Sequence, residues 1–222
     1  MSAIALILAE RGFTVSGSDR NKNENIQNLI QQGVKIFLKQ SSSNIKTICL
    51  DNKISPLIVI SSAIPINNPE LIAAKEAGLE IWHRSDLLAA LIHNQPTIAI
   101  AGSHGKTTTS TFITTLLAIA NQDPTSIIGG SVPFYGKNAH AGEGKLLIAE
   151  ADESDGSLIK FHPELGLITN LELDHTDHYS NLDELIRTMR IFAENCNQLL
   201  INYDCKTLRE NFKSSASWSI KD

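Results

Sequence analysis

Lys106 and Thr107 close the stretch Gly102-Ser103-His104-Gly105-Lys106-Thr107, and the run before it, TIAIAG (97 to 102), is β-branched and apolar up to its glycine. A strand that turns through two glycines into a helix leaves backbone N–H groups unpaired at the positive end of the helix dipole, an arrangement that receives phosphate oxygens. Lys106 adds a point charge, and Thr107 places a hydroxyl in the first helical turn, within reach of a Mg2+ that bridges two phosphates. The full P-loop pattern would need glycine at position 100, where this chain has Ile100, so the loop is a shorter Gly-x-x-Gly-Lys-Thr. ATP is the expected owner of the phosphates.

Two acidic stretches follow strand-like runs. EADESD (150 to 155) ends the apolar run that begins at Leu146, which puts carboxylates at the carboxyl end of a strand, where open parallel sheets bind ligands. Glu150 is the first choice for a Mg2+ carboxylate, and strand alternation sends Asp152 to the same side as a supporting partner. At least two of the four acids in this stretch are expected only to solvate a loop. The second stretch, TNLELDHTDHY (169 to 179), concentrates Asn170, Glu172, Asp174, His175, Asp177 and His178. Histidines among carboxylates suit zinc, whereas Mg2+ prefers oxygen, and spacing alone does not separate a metal ligand from a hydrogen-bonded structural histidine.

The elements that must position these groups alternate. Helices are expected over 2–11, 24–33, 69–77, 83–92, 106–120, 182–195 and 204–212. Strands are expected over 13–19, 34–38, 57–64, 79–82, 97–102, 146–152, 165–170 and 198–202. QSSSN (40 to 44) reads as a polar loop and 129–145 as a glycine-rich loop. Such alternation implies an α/β fold with parallel sheets and helices on their faces. The proline-containing break HNQPT (93 to 97) divides the chain into an expected Rossmann-like domain, 1–94, and a P-loop-type parallel-sheet domain, 95–222.

Composition narrows the function classes. With 19 basic and 24 acidic residues the formal charge is -5, and no Lys/Arg run is present, which argues against nucleic acid or an anionic membrane as partner. The opening MSAIALILAERG lacks a basic start and a cleavage site, and reads as a buried helix rather than a signal peptide. No stretch reaches the length of a membrane span. Cys49, Cys196 and Cys205 show no metal or redox spacing and are expected to be buried thiols in a cytoplasmic protein.

Taken together, AGSHGKTTT, EADESD and TNLELDHTDHY, with SGSD, SSAIPINNPE and HRSDLLAALI upstream, resemble the Mur ligase family, the ATP-dependent amide-bond ligases of bacterial cell-wall synthesis. The resemblance runs over essentially the whole chain. It implies that Gly102, Ser103, His104, Gly105, Lys106, Thr107 and Thr108 cradle ATP, that Lys106, Glu150 and His175 serve catalysis, and that Thr107, Glu150 and His175 serve Mg2+. It further implies UDP-N-acetylmuramate and L-alanine as substrates, joined through an acyl phosphate. Asp19, Ser61 and Ser62 fall at strand ends where the UDP-sugar would lie, although a turn-capping role suits each serine equally. A ligase that attaches a ready-made tripeptide to the same sugar, and a non-catalytic nucleotide-binding remnant, are the alternatives.

The family's first strand and Gly-x-Gly-Gly-x-Gly-Met loop would precede Met1-Ser2-Ala3, and its central domain would continue past Asp222. The expectation is therefore a chain truncated at both ends, a Rossmann-like domain without its first strand followed by an incomplete ATP-binding domain. Little ligase activity is expected of it alone, and exposed apolar edges are expected on helix 2–11.

Overall fold

A computed structural model describes every residue except Lys22, Asn52–Ile54, His175, Asp177 and Asp222. The chain divides into two compact units, Met1–Leu87 and Leu88–Asp222.

In the first unit short helices and strands alternate as α1 (Ser2–Glu10), β1 (Ser16–Ser18), α2 (Glu24–Gln31), β2 (Lys35–Phe37), α3 (Ser42–Asp51), β3 (Ile58–Ile60), α4 (Pro69–Glu76) and β4 (Ile81–His83). α5 (Arg84–His93) runs across the division. Asparagine side chains start two of the helices: Asn23 accepts from the Ile26 amide, and Asn68 from those of Glu70 and Leu71, with Pro69 in the first turn. β1 pairs with β2 and β3 with β4, both in parallel, as separate two-stranded sheets. Ile45, Ala73 and Ala74 form a core between α3 and α4 against Ile58 and Ile81 of the second pair.

Two expectations for this unit are corrected. Ile4, Leu6 and Ile7 of α1 are buried, α1 packs against α2, and no large apolar residue within Ser2–Glu10 is exposed. The stretch read as a polar loop, 40–44, contains the start of α3; Ser41 accepts from the Ser43 amide at its entrance, and Ile45 anchors its buried side.

The second unit is built on a seven-stranded sheet among the described residues. Its elements are β5 (Thr97–Ala101), α6 (Lys106–Ile119), β6 (Thr125–Val132), β7 (Lys137–His140), β8 (Leu147–Glu150), β9 (Leu165–Ile168), α7 (Leu182–Asn195), β10 (Gln198–Asn202), α8 (Lys206–Asn211) and β11 (Ala216–Trp218). The strand order is β11-β10-β9-β5-β8-β6-β7, parallel throughout except for β7. β5 lies between β8 and β9, in the register Ile100 to Glu150 and Ile100 to Leu167, so the carboxyl ends of the three strands share one edge. Ile100, Ile148 and Leu167 face Ile113 and Leu117 of α6 and form the core on that side. α7 is amphipathic: capped by Asn181, it buries Leu185, Ile186, Met189 and Phe192, each worth about 2 kcal/mol of apolar transfer.

The glycine-rich loop expected over 129–145 is replaced by the end of β6 and by β7, an antiparallel hairpin with an irregular register between Ile127 and Val132. Asp123, which precedes β6, ties this hairpin down. It accepts from the Glu143 amide at 2.8 Å and lies 2.8 Å from His140 Nε2, and these contacts hold its carboxyl below the usual range. All three cysteines are unpaired and half-buried rather than fully buried; burial pushes the Cys196 thiol up to about 12. No helix among the described residues is long and apolar enough to cross a membrane.

Candidate phosphate-binding site

The chain leaves β5 at Ala101 and enters α6 at Lys106, so Gly102 to Gly105 form the turn itself. Gly102 has φ +125°, and a Cβ there would lie 2.2 Å from Thr169 Oγ1 and 2.8 Å from the Asn170 carbonyl oxygen. Glycine is therefore required by both conformation and space. α6 begins at Gly105 with no side-chain cap, in contrast to the asparagine caps of α2, α4 and α7. Its first-turn amides are left without a side-chain acceptor at the positive end of the longest helical dipole in this unit, shared in length with α7.

The segment after β9 straps the turn from outside. Thr169 Oγ1 donates to the His104 carbonyl at 2.7 Å, and Asn170 Nδ2 to the same oxygen at 2.9 Å. The His104 amide donates to Asn170 Oδ1 at 2.9 Å. Ser103 Oγ donates to the Glu172 carbonyl and accepts from the Glu172 amide, at 2.9 and 3.0 Å. The turn's shape is thus dictated by residues more than sixty positions away. Of the expected phosphate residues, Gly102 and Ser103 are buried, Lys106 is partly buried, and His104, Gly105, Thr107 and Thr108 are exposed.

Lys106 Nζ donates to the Gly102 carbonyl at 2.7 Å and to Glu153 Oε1 at 3.0 Å, with Oε2 at 2.9 Å. Glu153 is fully buried. The reading that left at least two of the four acids of EADESD to solvate a loop did not single out this residue: its contact depends on Lys106, and no local spacing announces it. Tyr179, also buried, donates its hydroxyl to the Glu153 carbonyl at 2.6 Å; burial pushes the phenol up to about 12. Asp152 and Asp155 accept from the Ser154 and Ser157 amides and so shape the loop around Glu153.

Glu150, the expected metal carboxylate, ends β8 beside the turn. Its Oε1 is buried with no hydrogen-bond partner among the described residues. A Cβ on Gly129 would lie 3.0 Å from Glu150 Oε2 and 3.6 Å from Thr107 Oγ1, so the carboxylate and the hydroxyl both border the space beside Gly129. A buried carboxylate oxygen without a donor, next to a hydroxyl, is a donor set that suits a hard cation such as Mg2+. His175, the third expected metal residue, lies outside the described residues, as does Asp177. The described His178 packs edge-on against Tyr179 with ring centroids 4.6 Å apart.

In the first unit, Asp19 follows β1 and accepts from the Asn21 amide at 2.9 Å, while its own amide donates to the Phe37 carbonyl. Ser61 and Ser62 follow β3; the Ser61 carbonyl accepts from the Ile64 amide, and Ser62 Oγ lies 3.0 Å from His83 Nε2. These candidates sit at carboxyl ends of parallel strands but are held by different partners. The longer-range polar network is one that the sequence reading missed: Glu70 accepts from Ser18 Oγ and from Asn44 Nδ2, both at 2.6 Å.

Comparison with known proteins matches both parts of the chain to one family. The Mur ligase family catalytic domain matches residues 1–96, and the Mur ligase middle domain matches residues 100–221. The chain is 62% identical over 221 residues to a UDP-N-acetylmuramate–L-alanine ligase of Prochlorococcus marinus (strain MIT 9313), and 61% identical over 220 residues to one of Synechococcus sp. (strain CC9605). It covers 45% and 47% of those relatives, so it spans about half the length of the curated proteins it matches. Among solved structures, the UDP-N-acetylmuramate-alanine ligase of Thermotoga maritima superposes with a TM-score of 0.86 at 25% identity, over 100% of this chain and 50% of that one. The Neisseria meningitides ligase for L-alanyl-gamma-D-glutamyl-meso-diaminopimelate also reaches 0.86, over 99% of this chain and 74% of that one, but at 21% identity the likeness is one of fold. The two domain matches, which together span residues 1–96 and 100–221, assign the chain to the Mur ligase family.

Proposed function

We propose that this chain carries the UDP-sugar domain (1–94) and the ATP-binding domain (95–222) of a ligase that joins L-alanine to UDP-N-acetylmuramate in the cytoplasm, an early step of peptidoglycan synthesis and so of cell growth, shape and division. The observation that carries the reading is the meeting of three groups at one sheet edge: the uncapped start of α6, the Lys106 ammonium, and the buried Glu150 carboxylate facing Thr107.

In this reading the turn amides and Lys106 take the β and γ phosphates of ATP, and the strap from Thr169 to Glu172 keeps the amides from collapsing onto their own carbonyls. Thr107 and Glu150 would hold Mg2+, which would supply positive charge to offset the repulsion between a triphosphate and an approaching carboxylate. His175 is proposed as a further metal residue on the family resemblance alone. Asp19, Ser61 and Ser62 are proposed to orient the UDP-sugar. The muramate carboxylate oxygen attacks the γ-phosphorus and ADP leaves; the alanine nitrogen then adds to the acyl carbon, and phosphate leaves from the tetrahedral intermediate. The residues on this chain contribute positioning and charge stabilisation, not a covalent step.

The test is calorimetric titration of the chain with MgATP. One saturable site is expected, weakened at least tenfold by Lys106→Met and by removing Mg2+. Wild-type chain that takes up no MgATP, or binding indifferent to Lys106→Met, would refute the assignment of the turn. Titration with UDP-N-acetylmuramate tests the first domain in the same way.

A further inference from the structure

Glu153 is an odd neighbour for a phosphate-binding lysine. Its carboxylate is fully buried, its charge opposes that of a phosphate, and a buried ion pair is seldom more stable than an apolar pair of the same size. Fold stability therefore does not account for it. Geometry does: an ammonium has three donors, and here one is on the Gly102 carbonyl at 2.7 Å and one on Glu153 at 3.0 Å, leaving a single donor uncommitted among the described contacts. A lysine side chain has several rotatable bonds, and two fixed partners remove most of that freedom before a ligand arrives.

We propose that Glu153 is a positioning residue, which holds Lys106 in place so that its remaining donor meets a nucleotide phosphate. The inference rests on the reading of the turn as an ATP site and deepens it. The backbone of Glu153 is itself fixed by two donors on its carbonyl, the Tyr179 hydroxyl at 2.6 Å and the Gly156 amide at 2.9 Å. The carboxylate is thus anchored on a loop that does not depend on the ligand. Sequence reasoning assigned the catalytic acid of EADESD to Glu150; the structure divides the labour, Glu150 facing Thr107 and Glu153 facing Lys106.

The experiment is a double-mutant cycle on the full chain, with MgATP and AMP as probes in calorimetry and a thermal melt for each variant. Glu153→Gln is expected to weaken MgATP binding about tenfold and to leave AMP, which has no β or γ phosphate, unchanged. Glu153→Asp should fall between wild type and Glu153→Gln, since it keeps the charge but draws it back. In a Lys106→Met background, Glu153→Gln should change MgATP affinity less than about twofold, because the group it positions is gone. Equal losses in both backgrounds, a parallel loss of AMP binding, or unchanged MgATP affinity would each overturn the proposal. If Glu153→Gln does not fold, Glu153→Asp decides: wild-type affinity for MgATP in that variant would also overturn it. Wild-type chain that ignores MgATP would remove the nucleotide reading and this inference together, whereas normal wild-type binding with no coupling would remove this inference only.

Discussion

The candidate phosphate turn and the strand ends of the first unit hold candidate residues of the same chemical kinds, but by different means. Around the turn, Gly102, Ser103, His104 and Lys106 are each fixed by groups far along the chain, two of which, Thr169 and Glu153, are buried. At the strand ends the Asp19 carboxylate and the Ser61 carbonyl make short-range turn contacts at partly exposed positions, and the longer-range side-chain bonds run from Ser62 to His83 and from Glu70 to Ser18 and Asn44. A site held from a distance is rigid before ligand arrives, which suits chemistry that depends on placing a few charges. A site held locally tolerates substitution of its scaffold and depends on its ligand for order.

The contrast breaks most readily at Gly102. Gly102→Ala puts a methyl group onto Thr169 and the Asn170 carbonyl at a φ that alanine resists, and is expected to cost about 3 kcal/mol and at least 100-fold in MgATP affinity. Chemical denaturation together with calorimetry measures both. A variant within 1 kcal/mol or so of wild type would mean that the strap yields, and that the turn is no more rigid than the first unit.

In the first unit the largest effect is expected at a residue outside the candidate list. Glu70→Ala removes the acceptor of two 2.6 Å hydrogen bonds and leaves buried Asn44 with one fewer partner, at about 2 kcal/mol. If the same substitution left stability untouched while abolishing UDP-N-acetylmuramate binding, Glu70 would belong to the ligand site and the unit would be more like the turn than proposed.

What could be seen in the sequence follows the same division. β5, the turn and α6 were legible because apolar alternation, glycine and Lys-Thr report on the local backbone. The place of Glu150 at the end of β8 was legible because a strand end is a local feature. Glu153 was not, since its burial is set by a lysine 47 residues earlier. α3 was hidden by its serine-rich opening, whose hydroxyls serve equally in loops and helix starts. The β6–β7 hairpin was hidden by Gly129 and Gly130, which read as loop residues but lie in a strand that must leave room for Thr107 and Glu150.

Tyr179→Phe sharpens the comparison by testing how far the rigidity of the turn extends. It removes one buried hydroxyl from the Glu153 carbonyl and is expected to cost about 1 kcal/mol at neutral pH. Its pH signature is more specific. The phenol ionises at about 12 in the folded chain because burial disfavours the anion, and near 10 when unfolded. Below pH 10 both states keep the proton and the stabilisation is complete; from 10 toward 12 the unfolded state loses it first and stability falls. Tyr135, pushed up to about 12 as well, contributes in the same sense, so Tyr179→Phe should flatten part of the alkaline decline in denaturation midpoint and not all of it. An unchanged decline would place Tyr179 outside the linked set.

The smallest effect is expected at Asp19. Asp19→Ala deletes a turn contact to the Asn21 amide at a partly exposed position, and should change stability by less than about 0.5 kcal/mol. Binding of UDP-N-acetylmuramate should fall about tenfold or more if the carboxylate faces the ligand as proposed. The two measurements pull apart what a turn cap and a ligand residue have in common: a cap lowers the melting temperature and leaves affinity alone, whereas a ligand residue does the reverse. A drop in stability comparable to that of Gly102→Ala would show that the strand ends are held as firmly as the phosphate turn, because a locally bonded, solvent-facing carboxylate has no other route to so large a loss.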